Sequence, residues 1–164
     1  MARTFALVSL LLSFLCAAAL SSPLSRRDSV FAIANLSVEA VPLSHRVQYF
    51  FLVTPDSAIG ADAECSALVT SLNESVCSVP PTACAGPGLT FEWRQLDDGG
   101  AELRVVRSLS SPSTPARPPL LEAGGHRIGR TELAVVAVGT EFEHQAYVGP
   151  ANFSMSVRVL EGVD

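Results

Sequence analysis

The stretch LTFEWRQLDDGGAELRVVRSL, residues 89–109, contains two alternating segments joined by a turn sequence. Leu89–Arg94 and Ala101–Leu109 each alternate apolar with polar residues, which is the period of a strand with one buried face. Between them, Asp97–Gly100 (DDGG) has the residue types that tight hairpin turns require. The stretch therefore predicts a β-hairpin.

The same alternation continues on both sides of this hairpin. Phe31–Val41, His45–Thr54 and the segment from Phe153 onward alternate apolar with polar residues, and Thr131–Val138 is a solid apolar run. No segment repeats at a fixed period, and no change of composition marks a second domain. The sequence therefore predicts an all-β fold, a single antiparallel β-sandwich or β-barrel of about seven strands.

Two stretches lack this alternation. Within Pro55–Ala85, the apolar spacing of Ala61–Leu72 predicts one short helix. Ser108–Pro119 is rich in Ser and Pro and predicts a surface loop.

The N-terminus has the pattern of a secretory signal peptide. Arg3 precedes an apolar segment, Phe5–Leu20, which closes on the small residues Ala17–Ala19. Sixteen helical residues would reach only about 24 Å, short of the roughly 30 Å hydrocarbon layer of a membrane. We therefore expect residues 1–19 to be removed, and no later segment is apolar for long enough to predict a membrane span.

A dibasic pair, Arg26-Arg27, follows the predicted signal peptide. It predicts either a second cleavage, with residues 20–27 as a propeptide, or simply two solvated arginines. With both cleavages, residues 28–164 form the secreted β domain.

Charge and composition exclude several function classes. The formal net charge is −5, and all eleven basic residues are Arg, so no chemistry that depends on Lys is available. After Arg27, sixteen carboxylates face eight arginines, which gives −8. Because a net acidic chain repels phosphates, we expect no nucleic-acid partner.

The asparagines independently indicate secretion. The chain has three Asn, and all three begin Asn-x-Ser acceptors for N-glycosylation: Asn35, Asn73 and Asn152. Because Ser and Thr together make up 27 of the 164 residues, three matches by accident have a probability of about 0.4%. We therefore predict a glycoprotein with these side chains toward solvent.

Three cysteines, Cys65, Cys77 and Cys84, remain after the predicted signal peptide. An oxidising compartment favours one bridge, for which three pairings are open; we favour Cys65 with Cys84. Cys77 is then buried, free, or joined to a second chain in a disulfide-linked homodimer. The spacing matches no zinc pattern, so we predict no metal site and no cofactor.

The order of several features resembles a known family. An early strand pair ends in Val47–Phe51, one Cys follows it, another precedes Leu89–Trp93, and Tyr147–Pro150 stands before Phe153. This pattern resembles small secreted ascomycete proteins of the Alternaria major allergen type. The resemblance implies a compact extracellular β-barrel or β-sandwich, dimerisation, and allergen-like, elicitor-like or effector-like roles in binding host proteins. The chain departs from the family's four-Cys framework, and no family site residue carries over.

Catalytic motifs are absent from the sequence. There is no nucleophile elbow, no zinc-protease motif and no phosphate-binding loop. The alternative we keep is a small extracellular hydrolase that assembles Glu141 and Glu143 with one of His45, His126 and His144. Copper oxygenases that use an N-terminal His are excluded by both predicted mature N-termini.

We therefore expect a secreted, non-enzymatic binding or interaction protein. In this hypothesis the strands supply a rigid scaffold, and residues 55–88 and 108–130 supply the variable surface in loops. The expected partner is an extracellular protein or carbohydrate. The hydrolase alternative requires its acidic residues and a histidine to converge in one cleft.

Overall fold

The computed structural model describes residues 29–41, 44–55, 62–71, 75–109, 120–138 and 142–161. The predicted signal peptide and propeptide lie outside these residues. Apart from one 3-10 turn, every regular element of the described residues is a β-strand, which confirms the predicted fold class. Its elements are β1 (Val30–Val41), β2 (Arg46–Pro55), β3 (Ala63–Thr70), β4 (Val79–Ala83), β5 (Leu89–Gln95), β6 (Ala101–Ser108), β7 (Leu120–Ile128), a 3-10 turn (Arg130–Glu132), β8 (Leu133–Val138), β9 (Phe142–Tyr147) and β10 (Phe153–Glu161).

The strands form one antiparallel sheet that curls into a nearly closed barrel. Eight of them follow the order β3-β2-β1-β10-β7-β6-β5-β4, and β9 and β8 branch from β1. The long strand β1 changes neighbour along its length, from β10 over Val30–Ile33 to β9 at Glu39. The predicted hairpin is confirmed as β5 and β6, paired from Leu89 with Arg107 to Gln95 with Ala101.

The barrel closes where β3 approaches β4, at the two ends of the strand order. Pro80 and Pro81 occupy β4 and have no N–H to donate, so a regular hydrogen-bonded ladder cannot form across this seam. The Cys65–Cys84 disulfide joins the two edges instead. Beside it, the Ala85 N–H donates to the Glu64 carbonyl at 2.7 Å. The disulfide that the sequence favoured is therefore the main link across the seam.

Three predictions about local structure are wrong. The helix predicted in Ala61–Leu72 is β3, paired with β2 from Arg46 with Thr70 to Val53 with Ala63. Neighbouring β2 needs a strand on this edge, and pairing its backbone outweighs the helical spacing of a few apolar residues. The described residues also contain ten strands instead of about seven. The loops expected at 55–88 and 108–130 contain β3, β4 and β7.

Aromatic side chains fill the barrel interior. The rings of Tyr49 and Trp93 meet edge to face at 5.5 Å, and those of Phe51 and Phe91 do so at 5.1 Å. Each pair joins β2 to β5, which are not neighbours in the sheet, so these contacts span the barrel. All four side chains are buried. Because the interior is packed with these side chains, a binding site has to lie on the outer surface of the barrel.

The Tyr49 hydroxyl is held by the backbone of Cys77. It donates to the Cys77 carbonyl and accepts from the Cys77 N–H at 3.0 Å. Burial first, and then the neighbouring Cys77 thiol, raise the pKa of Tyr49 far above its usual value of 10. Burial also raises the pKa of Tyr147, to about 12.

The raised pKa values of these two tyrosines predict a loss of stability at alkaline pH. A raised folded-state pKa means that the unfolded chain loses the phenol proton first, near pH 10, so the free energy of unfolding falls as pH rises above that value. We expect Tyr49→Phe to cost about 1–3 kcal/mol at pH 7 through its lost hydrogen bonds. The variant should also show a smaller further loss between pH 9 and pH 11 than the parent.

Urea unfolding at pH 7, pH 9 and pH 11 measures both effects. Tyr147→Phe is the control. The Tyr147 phenol is half-buried and its pKa is raised less, so this substitution should remove a smaller part of the alkaline loss of stability. An alkaline loss in Tyr49→Phe as large as in the parent would contradict this prediction.

Candidate functional site

Two of the three predicted glycosylation acceptors lie side by side. Asn35 occupies a bulge in β1 with a left-handed φ of 57°, a conformation that Asn tolerates better than most residues. Its N–H donates to the Asn152 Oδ1 at 3.0 Å, and both residues are exposed. A glycan is attached through Nδ2, so this contact leaves the acceptor nitrogen of Asn152 available. Asn73 lies outside the described residues.

The cysteines divide as the sequence favoured. Cys65 and Cys84 are bonded, with their Cα atoms 4.3 Å apart, and Cys77 is the free cysteine of the described chain. Cys77 is half-buried beside Tyr49, and its thiol lies 3.9 Å from the tyrosine hydroxyl.

The described residues of the hydrolase alternative are divided between β9, β7 and a turn, and the two on β9 point to opposite faces. Glu143 is exposed and His144 is buried, because neighbouring residues of β9 point to opposite faces. His126 is on β7, where it stacks on a phenylalanine of β10. His45 is in the turn between β1 and β2, with a positive φ of 50°. Glu141 lies outside the described residues.

A groove on the outer face of the barrel brings arginines together. It crosses β6, β7 and β10 and encloses about 510 Å³. We call it the arginine groove; its lining consists of Glu102, Arg104, Ala123, Gly124, Gly125, Arg127, Ser156, Arg158 and Leu160. A smaller depression of about 260 Å³ shares Glu102 and Arg104 with it and adds Glu92 and Arg94 from β5.

Strand register creates the shape of the groove. Arg104 of β6 lies opposite Gly125 of β7, and Arg158 of β10 lies opposite Ala123. The floor between the two arginines therefore has no side chain longer than a methyl group. The inner side of β7 is tightly packed at Gly124, where an added Cβ would lie 3.1 Å from the Phe31 ring. That glycine lets β7 approach the core closely.

The four arginines of the groove and its side depression differ in their partners. Arg94 pairs with Glu102 at 2.5 Å, and Arg127 pairs with Asp98. The Gly100 N–H that donates to Asp98, together with the Arg127 charge, holds the pKa of Asp98 below its usual value. The remaining two, Arg104 and Arg158, are exposed and have no hydrogen-bond or ion-pair partner among the described residues.

This arrangement can bind an anion. A guanidinium presents several N–H donors in a planar fork that matches carboxylate, sulfate and phosphate oxygens. The groove and its depression contain four of the eight arginines that follow Arg27, although the chain is acidic overall. Sequence analysis missed the site because its residues come from four strands. The sequence did contain one signal for this site: Arg94, Arg104 and Arg158 occupy polar, outward positions of alternating segments.

Comparison with known proteins adds no assignment. No protein-family model matches the chain, and no curated protein matches it significantly. Within the described residues, no three His, Cys, Asp or Glu side chains are grouped so that they could hold a metal ion. The same residues include no helix with the length and apolar character to cross a membrane.

Proposed function

We propose that this chain is a secreted, extracellular, non-enzymatic binding protein that takes an anionic ligand in the arginine groove. The observation that carries the proposal is the pair Arg104 and Arg158, which flank the small residues Ala123 and Gly125 from opposite strands and form no ion pair with a described carboxylate. Because neither guanidinium is neutralised by a described carboxylate, both are available to an anion.

Extracellular location is supported by two sequence features and one bond. The features are the signal-peptide pattern of residues 1–19 and the Asn-x-Ser acceptors. The bond is the Cys65–Cys84 disulfide, which is typical of oxidising compartments. A homodimer through Cys77 and an elicitor-like or effector-like role stay predictions.

Binding of model polyanions tests the proposal. We expect the protein secreted by a eukaryotic host to bind dextran sulfate or polyglutamate, but not neutral dextran. The double variant Arg104→Ala/Arg158→Ala should bind at least tenfold more weakly, because each guanidinium contributes charge-assisted hydrogen bonds of about 1.5–3 kcal/mol. Raising the salt concentration should weaken binding by the parent protein, because these charges are exposed.

The matched control is Arg46→Ala, an exposed arginine at the start of β2 and outside the groove. It removes one positive charge and should leave binding within about twofold of the parent, because the charge is distant from the groove and screened. Equal loss in the control and in the double variant, or no binding of either polyanion by the parent, would overturn the proposal.

A further inference from the structure

We propose that the ligand of the arginine groove is a carboxylated sugar chain, an oligomer of uronic acid that lies across β7. This inference rests on the proposed function and names its ligand class. It follows from the mixture of donors and acceptors in the groove, from the paired backbone of its floor and from its size.

The first argument is the presence of a carboxylate among the arginines. The Glu102 Oε2 binds Arg94, and its other oxygen, Oε1, lies 3.5 Å from where a Cβ of Gly125 would be. This oxygen therefore stands beside the floor of the groove. Glu92, opposite Arg104 in the register, adds a second carboxylate in the adjoining depression.

These carboxylates select the chemistry of the ligand. A ligand whose polar groups are all anionic, such as a polyphosphate, would meet repulsion at Glu102. A uronic acid carries a carboxylate and several hydroxyls on each ring. Its carboxylates would accept from Arg104 and Arg158, while its hydroxyls would donate to Glu102 and exchange hydrogen bonds with Ser156.

The backbone of the floor argues against an acidic peptide. β7 is paired with β6 on one side and with β10 on the other over Leu121–Gly124. Over these four residues the floor therefore offers no free strand edge, and an extended peptide would lose there the main-chain hydrogen bonds by which strands usually bind peptides. A sugar chain has no such requirement.

The dimensions of the groove fit a short single chain. Its two ridges, β6 and β10, flank β7 and are therefore about 10 Å apart, twice the spacing of neighbouring strands. A volume of about 510 Å³ is within the range of ordinary small-ligand clefts and suits an oligomer of a few rings. The lining contains no aromatic side chain, so affinity has to come from charged hydrogen bonds.

The test is a titration of the secreted protein with a tetrasaccharide of galacturonic acid. Its fully methyl-esterified form, which is neutral, is the matched ligand control. We expect binding of the acid, at least tenfold weaker binding of the ester, and at least a tenfold loss of affinity for the acid in Arg104→Ala/Arg158→Ala. The side chains substituted in these tests, Arg104, Arg158 and (below) Glu102, are on the outer face, and thermal melting would verify that each variant folds.

Glu102→Gln separates this inference from simple attraction of charge. The variant should bind the tetrasaccharide about threefold or more weakly, because an ionised acceptor for hydroxyls is lost, and should bind dextran sulfate more tightly, because a repulsive charge is lost. Tighter binding of both ligands would overturn the sugar assignment.

The remaining outcomes distinguish the two proposals. Binding of dextran sulfate or polyglutamate in the groove without binding of the tetrasaccharide would overturn the ligand class and leave the proposed function standing. Failure of the parent protein to bind any of these anions would overturn both. Equal affinity for the acid and the ester would also overturn the ligand class, because the arginines would then contribute nothing.

Discussion

Replacing Cys65 and Cys84 together by alanine should lower the free energy of unfolding by about 3 kcal/mol. The two residues are 19 positions apart, and a bridge that closes a loop of this length restricts the unfolded chain by about that amount. In the folded state the bond joins β3 to the end of β4, where the prolines of β4 prevent a regular ladder. We therefore expect the variant to loosen this seam first.

Urea unfolding with and without reductant measures this effect. Reduced parent protein should match Cys65→Ala/Cys84→Ala, and Cys77→Ala should lose clearly less, because Cys77 forms no disulfide within the described chain. Hydrogen exchange adds a local measurement: the Ala85 N–H, which donates across the seam, should exchange faster in the double variant. A double variant as stable as the parent would contradict the role of the disulfide in closing the barrel.

Trp93→Ala should have an equal or larger effect, about 3–5 kcal/mol. Trp93 is 1% exposed and contacts the ring of Tyr49 across the barrel, so its removal leaves a large cavity between β2 and β5. For a domain of ordinary stability, this loss is a substantial part of the total free energy of unfolding. Unfolding by urea should be followed by far-UV circular dichroism. Tryptophan fluorescence is no probe for this variant, because Trp93 is the chain's single Trp.

Trp93→Phe is the matched control. It keeps an aromatic ring against Tyr49, and it removes the indole N–H, which is buried without a hydrogen-bond partner among the described residues. We therefore expect less than half the loss seen with alanine, because the cavity is smaller and a costly buried donor disappears. Equal losses in the two variants would show that packing across the barrel centre is not the source of the effect.

The hairpin of β5 and β6 shows how far sequence patterns reach. Its alternation and its DDGG turn act over short distances, so each strand could be read without knowledge of its neighbours. β3 shows the limit. The spacing of Cys65, Leu68 and Leu72 favours a helix locally, but the segment becomes a strand because the edge of β2 needs a partner. β7 was missed for a similar reason, since Gly124-Gly125 is typical of a turn unless another strand packs closely against it.

The candidate site was harder to predict than the fold. The disulfide candidates could be predicted from the sequence because three cysteines allow few pairings. The acceptors Asn35 and Asn152 could be predicted because their motif is local. The arginine groove has no local motif. Arg104 and Arg158 are 54 positions apart, and they lie across the same floor only because β10 and β6 both pair with β7.

By itself the sequence determined the all-β class and the central hairpin, because both depend on periodicity and turn chemistry, and it limited the disulfide to three pairings, of which the structure contains Cys65–Cys84. Only the tertiary structure decided the strand order, the seam that the disulfide closes and the arginine groove. Strand order depends on which distant edges meet, and a side chain's neighbours across a sheet follow from that order. The binding surface is therefore a property of the assembled sheet, which no single segment encodes.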